Sequence, residues 1–364
     1  NQTEAAMATY DEVLRRFGEA AEPALRESVA RALVNKGITQ GRLNRNEAEI
    51  ATYDEVLCRF GEAAEPVLYE SVARALVNKG DTQVRLNLNE AAMATYDEVL
   101  RRFGEAAEPA LRESVAKALV RKGIIQGQLS QTEAEIATYD EVLRRFDETA
   151  DPASREQVAV ALVNKAGTQS QLNQNEAAMA TYDEVLRRFG DATEPALRES
   201  VARALVGKGI TQGQMNQTDA AIATYDEVVR RFGEAAEPAL REQVASALNS
   251  AGFGRLVEAK RLLQLAKPEW QAILKAALSN LDDAVKRCTQ SNGMILGNRA
   301  YVLCLLGDYA AAEDGFTAAL HASVNGGKEI YECTLRDLDV HPLAEDARMR
   351  ALVERAWATF QQRT

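Results

Sequence analysis

The phrase Ala-Thr-Tyr-Asp-Glu-Val is written six times, with its tyrosine at Tyr10, Tyr53, Tyr96, Tyr139, Tyr182 and Tyr225, each step being 43 residues. A proline keeps the same step at Pro23, Pro66, Pro109, Pro152, Pro195 and Pro238. A fixed period in the range of about 20 to 50 residues marks a stacked array, in which each unit buries its apolar face only against its neighbours. A chain of 364 residues would otherwise suggest two or three globular domains, but here the core runs along a line. Such an array offers an extended surface that holds another molecule, and the period alone does not name that molecule.

Each unit reads as two helices. Pro23 suits a first helical turn, where its missing N–H costs nothing. Behind it, Leu25, Val29, Ala32, Leu33 and Gly37 form one apolar stripe, and Ala30, Val34, Ile38 and Gly41 form a second. A helix with two apolar stripes is covered on two sides, as in a stack. This first helix is expected to end near Leu43. The second helix is expected to start at a cap, with Thr3, Asn46, Asn89, Thr132, Asn175 and Thr218 as N-caps, each followed by an acid that suits the positive helix end. It runs through Ile50, Tyr53, Val56, Leu57 and Phe60. Gly18, Gly61, Gly104, Gly190 and Gly233 are expected to end it in the left-handed conformation, with Asp147 breaking that series.

These residues carry a resemblance. The unit resembles the tetratricopeptide repeat, a helix–turn–helix of about 34 residues. The C-terminal copy shows it best, with the family's small, aromatic and small positions at Ala312, Phe316 and Ala319. In the long units Gly37 takes the close-packing glycine position and Tyr53 the aromatic one, while Val56 stands where the family usually has alanine. Two departures recur. The family's leucine before the glycine is Lys36, Lys79, Lys122, Lys165 or Lys208, expected to pack its stem on apolar neighbours and send its ammonium to water or to a second-helix carboxylate. The family's first-helix tyrosine is Gln40, Gln83, Gln126, Gln169 or Gln212. The resemblance covers residues 1–252 and 294–321. It implies an all-α fold, an α-solenoid wound as a right-handed superhelix of helix–turn–helix repeats. The wording of the unit is similar to arrays of bacterial proteins, which implies a bacterial source.

The organisation expected along the chain is an array over 1–252, irregular shorter helical repeats over 253–293, a family-like repeat over 294–321, and capping helices over 322–364. Residues Asn1-Gln2-Thr3-Glu4 align with Asn216-Gln217-Thr218-Asp219, so the first residues fall halfway through a repeat, without an initiator Met or a signal peptide. The expectation is of a longer array beginning upstream. Past Gly252 the period fails, a Gly326-Gly327 break follows the last repeat, and a final helix is expected over about 343–361.

The resemblance also implies where a ligand would lie, because in this family the first helices line the concave groove. Their free face reads Arg31-Asn35-Ile38-Arg42, Arg74-Asn78-Asp81-Arg85, Lys117-Arg121-Ile124-Gln128, Val160-Asn164-Gly167-Gln171 and Arg203-Gly207-Ile210-Gln214. Asn35, Asn78 and Asn164 fall where peptide-binding members carry an asparagine, whose carboxamide both donates to and accepts from a peptide main chain. Lys117 and Arg121 resemble the basic pair that holds a terminal carboxylate in some members. The clamp's upstream partners align with Val34 and Ile38 and are absent. Arg31, Arg74, Lys117, Arg121 and Arg203 form a basic stripe in a chain of net charge -11, which points to an acidic peptide segment of a partner protein. Recent duplication alone would also copy Asn35 into every unit.

Other classes fare less well. The net charge and the aromatic content of 6% argue against nucleic acid or an anionic membrane, although the basic stripe keeps a nucleic-acid or nucleotide-signal sensor as the weakest alternative. A structural or sensor arm of a larger protein, or self-association through the uniform surface, is the main alternative. No apolar run approaches the roughly 18 residues that cross a bilayer. Cys58, Cys288, Cys304 and Cys333 share no close spacing and read as reduced, cytoplasmic thiols rather than disulfides or metal ligands. His321 and His341 are the only histidines, and His321 suits a helix C-terminus. Asp54-Glu55 and its equivalents sit side by side and read as a solvated face. No enzyme, cofactor or metal is expected.

Overall fold

The computed structural model describes residues 2–63, 65–146, 151–340 and 342–362. The expectations for Asp147 and His341 lie outside those residues. Among the described residues the chain forms seventeen helices and no strand. It divides into two compact units, Asn1–Thr168 and Gln169–Thr364.

In the first unit every long repeat is a 20-residue helix A followed by a 15-residue helix B. The order is α1 (Gln2–Phe17), α2 (Pro23–Arg42), α3 (Asn46–Phe60), α4 (Pro66–Arg85), α5 (Asn89–Phe103), α6 (Pro109–Gln128), α7 (Thr132–Phe146) and α8 (Pro152–Gln171), which reaches the unit boundary. Proline opens each helix A as the sequence predicts. Consecutive helices pack on each other, and the A helices α2, α4 and α6 also lie side by side. That second set of contacts explains the two apolar stripes of helix A. The core is the same in each copy: Tyr53, Tyr96 and Tyr139, with Val56, Val99 and Val142, are fully buried. Gly37, Gly80 and Gly123 let those rings in, since a Cβ at any of them would meet a tyrosine Cε1 at 2.4–2.5 Å.

The recurring departures from the family pattern are explained by partners in neighbouring helices. Lys36 meets Asp11 at 2.7 Å, Lys79 meets Asp54 at 2.6 Å, and Lys122 and Lys165 meet Asp97 and Asp140 at 2.5 Å. The lysine of each helix A therefore pairs with the aspartate of the helix B before it, which is the second-helix carboxylate expected. Gln40, Gln83 and Gln126 accept hydrogen bonds from Thr52, Thr95 and Thr138 at 2.7–2.8 Å. A buried carboxamide stands where the family has a phenol, and the threonine twelve residues on satisfies it.

Two expectations about helix ends are corrected. The N-caps of the B helices are Arg45, Leu88, Gln174 and Gln217, without side-chain cap bonds, so Asn46, Asn89, Asn175 and Thr218 are first helical residues. Thr132 likewise opens α7, and Thr3 lies inside α1. The cause is the turn before them. Asn44, Asn87, Ser130, Asn173 and Asn216 take φ of 55–59°, and the next amide bonds back to helix A, as in Arg45 N–H to Gln40 O at 3.0 Å. That left-handed step ends helix A and starts helix B one residue early. The glycines Gly61, Gly104, Gly190 and Gly233 are right-handed, with φ between −52° and −60°, and Gly18 is not left-handed either. Close approach explains them: Gly61 O accepts from Arg102 at 2.8 Å and Gly104 O from Arg145 at 3.2 Å. A Cβ at Gly61 would lie 2.3 Å from Leu57 O of its own helix and 3.3 Å from that guanidinium.

The second unit holds α9 (Asn175–Phe189), α10 (Pro195–Gln214), α11 (Thr218–Phe232), α12 (Pro238–Gln264), α13 (Trp270–Arg287), α14 (Gly293–Leu305), α15 (Tyr309–Leu320), α16 (Lys328–Leu338) and α17 (Asp346–Gln361). Lys208 meets Asp183 at 2.5 Å, and Thr224 donates to Gln212 at 2.7 Å, so the same pairings recur. Helix α12 has 27 residues and passes unbroken through 252, where the period stops. Ala312, Phe316 and Ala319 are fully buried. His321 caps α15, its Nδ1 2.9 Å from Thr317 O, and packs edge-on against Phe360.

A buried polar cluster ties the last helices together. The Lys260 side chain is 1% exposed. Its Nζ lies 2.5 Å from Tyr301 Oη and 3.1 Å from an Asp346 carboxylate oxygen, and Tyr301 donates to Asp346 at 2.6 Å. Burial pulls the Lys260 ammonium below its ordinary range, with Asp346 acting against the shift. Helices α12, α14 and α17 are thereby joined by one charged pair and one phenol.

Candidate peptide-binding face

Within the first unit, the adjacent A helices bring their polar positions into register. Most of α2, α4 and α6 is buried, but Arg31, Asn35, Arg74, Asn78, Lys117 and Arg121 are exposed or half-buried. Asn164 of α8 is half-buried as well. In the second unit Arg203 is half-buried on α10, and its charge bears on the Tyr182 phenol.

The face is banded rather than uniformly basic. Arg31 has Glu27 at 3.8 Å, Arg74 has Glu70 at 3.8 Å, and Lys117 pairs with Glu113, each one turn upstream. Arg121 has Asp81 of the preceding A helix at 3.3 Å. Four of the five cations expected to form the basic stripe therefore each carry an internal carboxylate. Exposed pairs of this kind contribute about 0–1 kcal/mol, so a carboxylate arriving from outside exchanges for the internal one at little cost.

The asparagine position has a structural neighbour that sequence reasoning missed. The Asn78 carboxamide bears on the Tyr53 phenol of the preceding helix B and favours its ionised form. The equivalent position in α6 is Arg121, whose charge bears on the Tyr96 phenol. In α10 it is Gly207, where a Cβ would lie 2.3 Å from Tyr182 Oη. This position thus meets the tyrosine of the previous repeat, and burial pushes Tyr53 and Tyr96 well above the usual phenol range and Tyr182 up to about 12. A second missed residue is Glu49. It is buried, accepts from Tyr53 at 3.1 Å and pairs with Arg85. The 25-residue step from Tyr10, Tyr53 and Tyr139 to Asn35, Asn78 and Asn164 was the available signal.

Among the described residues no cluster of His, Cys, Asp and Glu could hold a metal ion, and no helix is long and apolar enough to cross a membrane. Burial pushes the thiols of Cys288 and Cys333 up, and that of Cys304 up to about 11.

Two family models described as tetratricopeptide repeat match residues 73–103 and 203–235. Each match begins within a helix A and takes in the helix B after it, which is the pairing that the packing shows. The chain carries tetratricopeptide repeats. Its fold class is an all-α solenoid. Solved structures agree on the fold. A tetratricopeptide repeat protein from Parabacteroides merdae is 15% identical, with a TM-score of 0.50, over 86% of this chain and 98% of that one. The apo quorum sensor NprR from B. thuringiensis is 11% identical, with a TM-score of 0.53, over 88% of this chain and 84% of that one. No curated protein matches the chain. Tetratricopeptide repeats build scaffolds for protein interaction.

Proposed function

We propose that this tetratricopeptide-repeat protein holds an extended, acidic segment of a partner protein along the A-helix face of its first unit. Asn35, Asn78 and Asn164 would meet the peptide main chain, and Arg31, Arg74, Lys117 and Arg121 its carboxylates. On the second unit Arg203 would serve a segment in the same way. The observation that supports the reading most is the side-by-side placement of α2, α4 and α6, which repeats one polar pattern along a continuous face. Single contacts contribute about 1 kcal/mol, so affinity is a sum over repeats.

Selection of a displayed random-peptide library against the full chain tests this. The expected winners are rich in Asp and Glu and bind Arg31→Ala/Arg74→Ala at least about tenfold more weakly, at about 1 kcal/mol per lost contact. Winners without acidic residues, or winners that bind the double variant equally well, would refute the proposal.

A second reading, self-association through the repeated surface, is favoured by the exposed leucines Leu88 and Leu129 at successive A–B turns, 49% and 42% exposed. Light scattering over a hundredfold concentration range distinguishes it, since a constant monomer mass excludes self-association.

A further inference from the structure

One repeat departs from its siblings on the edge formed by the B–A loops, away from the A-helix face. Position 26 of the unit is arginine in Arg26, Arg112, Arg155, Arg198 and Arg241, but tyrosine in Tyr69. Two residues earlier the usual alanine is Val67, which is exposed.

The siblings show what the arginine does. The Arg26 guanidinium lies 5.8 Å from the centroid of the Phe60 ring and pairs with Glu65. Arg198 lies 5.9 Å from the Phe232 ring and meets Glu237 at 2.5 Å. Arg112 stacks 5.1 Å from Phe146. An arginine thus sits between an aromatic face and a carboxylate 39 residues farther along.

At Tyr69 the same two receptors remain. The corresponding ring is Phe103, whose centroid is 6.0 Å from that of Tyr69 at an angle of 50°. The corresponding carboxylate is Glu108, whose side chain makes no cap bond. Around them the cavity grows to about 550 Å³, against about 190 and 270 Å³ beside Phe146 and Phe232. Its floor is Val72 and Leu111, and its rim carries Glu62, Glu105 and Glu108. The rim arginines Arg101 and Arg102 are held by Glu98, and Arg102 also donates to Gly61 O. Arg102 also meets Glu62 at 3.5 Å, so Glu98 and Glu62 together offset the two arginines, and Glu105 and Glu108 leave the rim acidic.

We propose that the Tyr69–Phe103 pocket binds an arginine side chain of a partner polypeptide, in the place that the other repeats fill with their own. The guanidinium stacks on the aromatic walls and pairs with Glu108, while its methylene stem covers Val72 and Leu111. A planar, weakly hydrated cation suits an aromatic wall with a carboxylate beside it better than a compact ammonium does. The site is distinct from the A-helix face and has the opposite charge preference.

Titration of the ¹⁵N-labelled full chain with acetyl-Gly-Arg-Gly-amide tests it, with acetyl-Gly-citrulline-Gly-amide as the uncharged analogue. Saturable shifts are expected at the amides of Glu62, Ala63, Glu105 and Ala106, and the citrulline peptide should bind at least about fivefold more weakly. Tyr69→Arg restores the residue that the other copies carry, so the variant folds and fills its own pocket, and the shifts should vanish. Glu108→Gln should weaken binding by about five- to tenfold. Equal binding of the citrulline peptide, persistence of the shifts in Tyr69→Arg, or shifts spread evenly over acidic surfaces of both units would overturn the proposal.

Discussion

A Cβ placed on Gly80 would lie 2.4 Å from Cε1 of Tyr96, the ring that fills the space between α4 and α5. Contact that close forces the ring or the helix pair to move. Gly80→Ala is expected to destabilise the first unit by about 1–3 kcal/mol, the usual range for overpacking. Gly213, on α10, has nothing within 4 Å of the same added atom. Gly213→Ala should stabilise by about 0.5–1 kcal/mol through helix propensity. Urea denaturation of the two variants should therefore move in opposite directions.

The Lys260–Tyr301–Asp346 cluster leads to a larger effect. Removing one member of a buried ion pair strands the other charge, at about 3–5 kcal/mol. Asp346→Ala should loosen α17 by that amount, with Lys260 left as the stranded cation. Replacing both, as Lys260→Met/Asp346→Leu, should recover most of the loss because no charge remains to be solvated. Tryptophan fluorescence during urea unfolding reads this directly, since Trp270 and Trp357 both belong to the second unit.

Asp337 supplies a pH dependence. Burial pushes its carboxyl up to about 6, with Arg336 and Lys260 acting against the shift. The unfolded value is about 3.9. The folded state therefore holds this proton more tightly, so the stabilisation is complete below pH of about 4 and is lost as pH rises through about 6. Its charge also bears on Tyr301 and Cys333, across the packing of α14 and α16. The fall in stability between pH 4.5 and 7, followed by the same fluorescence, should be smaller in Asp337→Asn than in the parent chain. An identical fall in both would remove Asp337 as its source.

Asn78 has two duties that can be separated. Its carboxamide is near enough to the Tyr53 phenol to act on it, so Asn78→Ala should cost up to about 1 kcal/mol in the absence of any ligand. Asn35→Ala/Asn78→Ala/Asn164→Ala should weaken a selected acidic peptide by more than that stability loss explains. A triple variant that loses stability yet keeps its peptide affinity would leave the asparagines with only their inter-repeat role.

Much of this architecture is written in the period. The burial of Tyr53 against Gly37 and the pairing of Lys36 with a second-helix acid both follow from residues that recur at fixed offsets. Helix ends were less legible. Asn44 and Asn46 are the same residue type two positions apart, and only the backbone turn shows that the first takes the left-handed conformation while the second opens the helix. Gly61 was misread because glycine serves both a left-handed turn and a tight approach, and the approaching Arg102 comes from 41 residues away. On the candidate face, the sequence revealed the cations but not their partners. Glu27 and Glu70 lie one turn upstream of Arg31 and Arg74, and that closeness matters only once both side chains point the same way. The Arg-to-Tyr exchange at Tyr69 is plain in an alignment of the copies, whereas its link to Phe103 and Glu108 depends on packing between successive hairpins.

Helix α12 runs from Pro238 to Gln264 without a turn at the place where the repeats cease. Its first half packs like any other helix A, against α10 and α11, and its second half carries Lys260 to the closing helices. A single rod therefore belongs to both the periodic and the irregular parts of this unit. The contacts to α17 and those to α10 and α11 are thus made by one continuous element, with no loop between them.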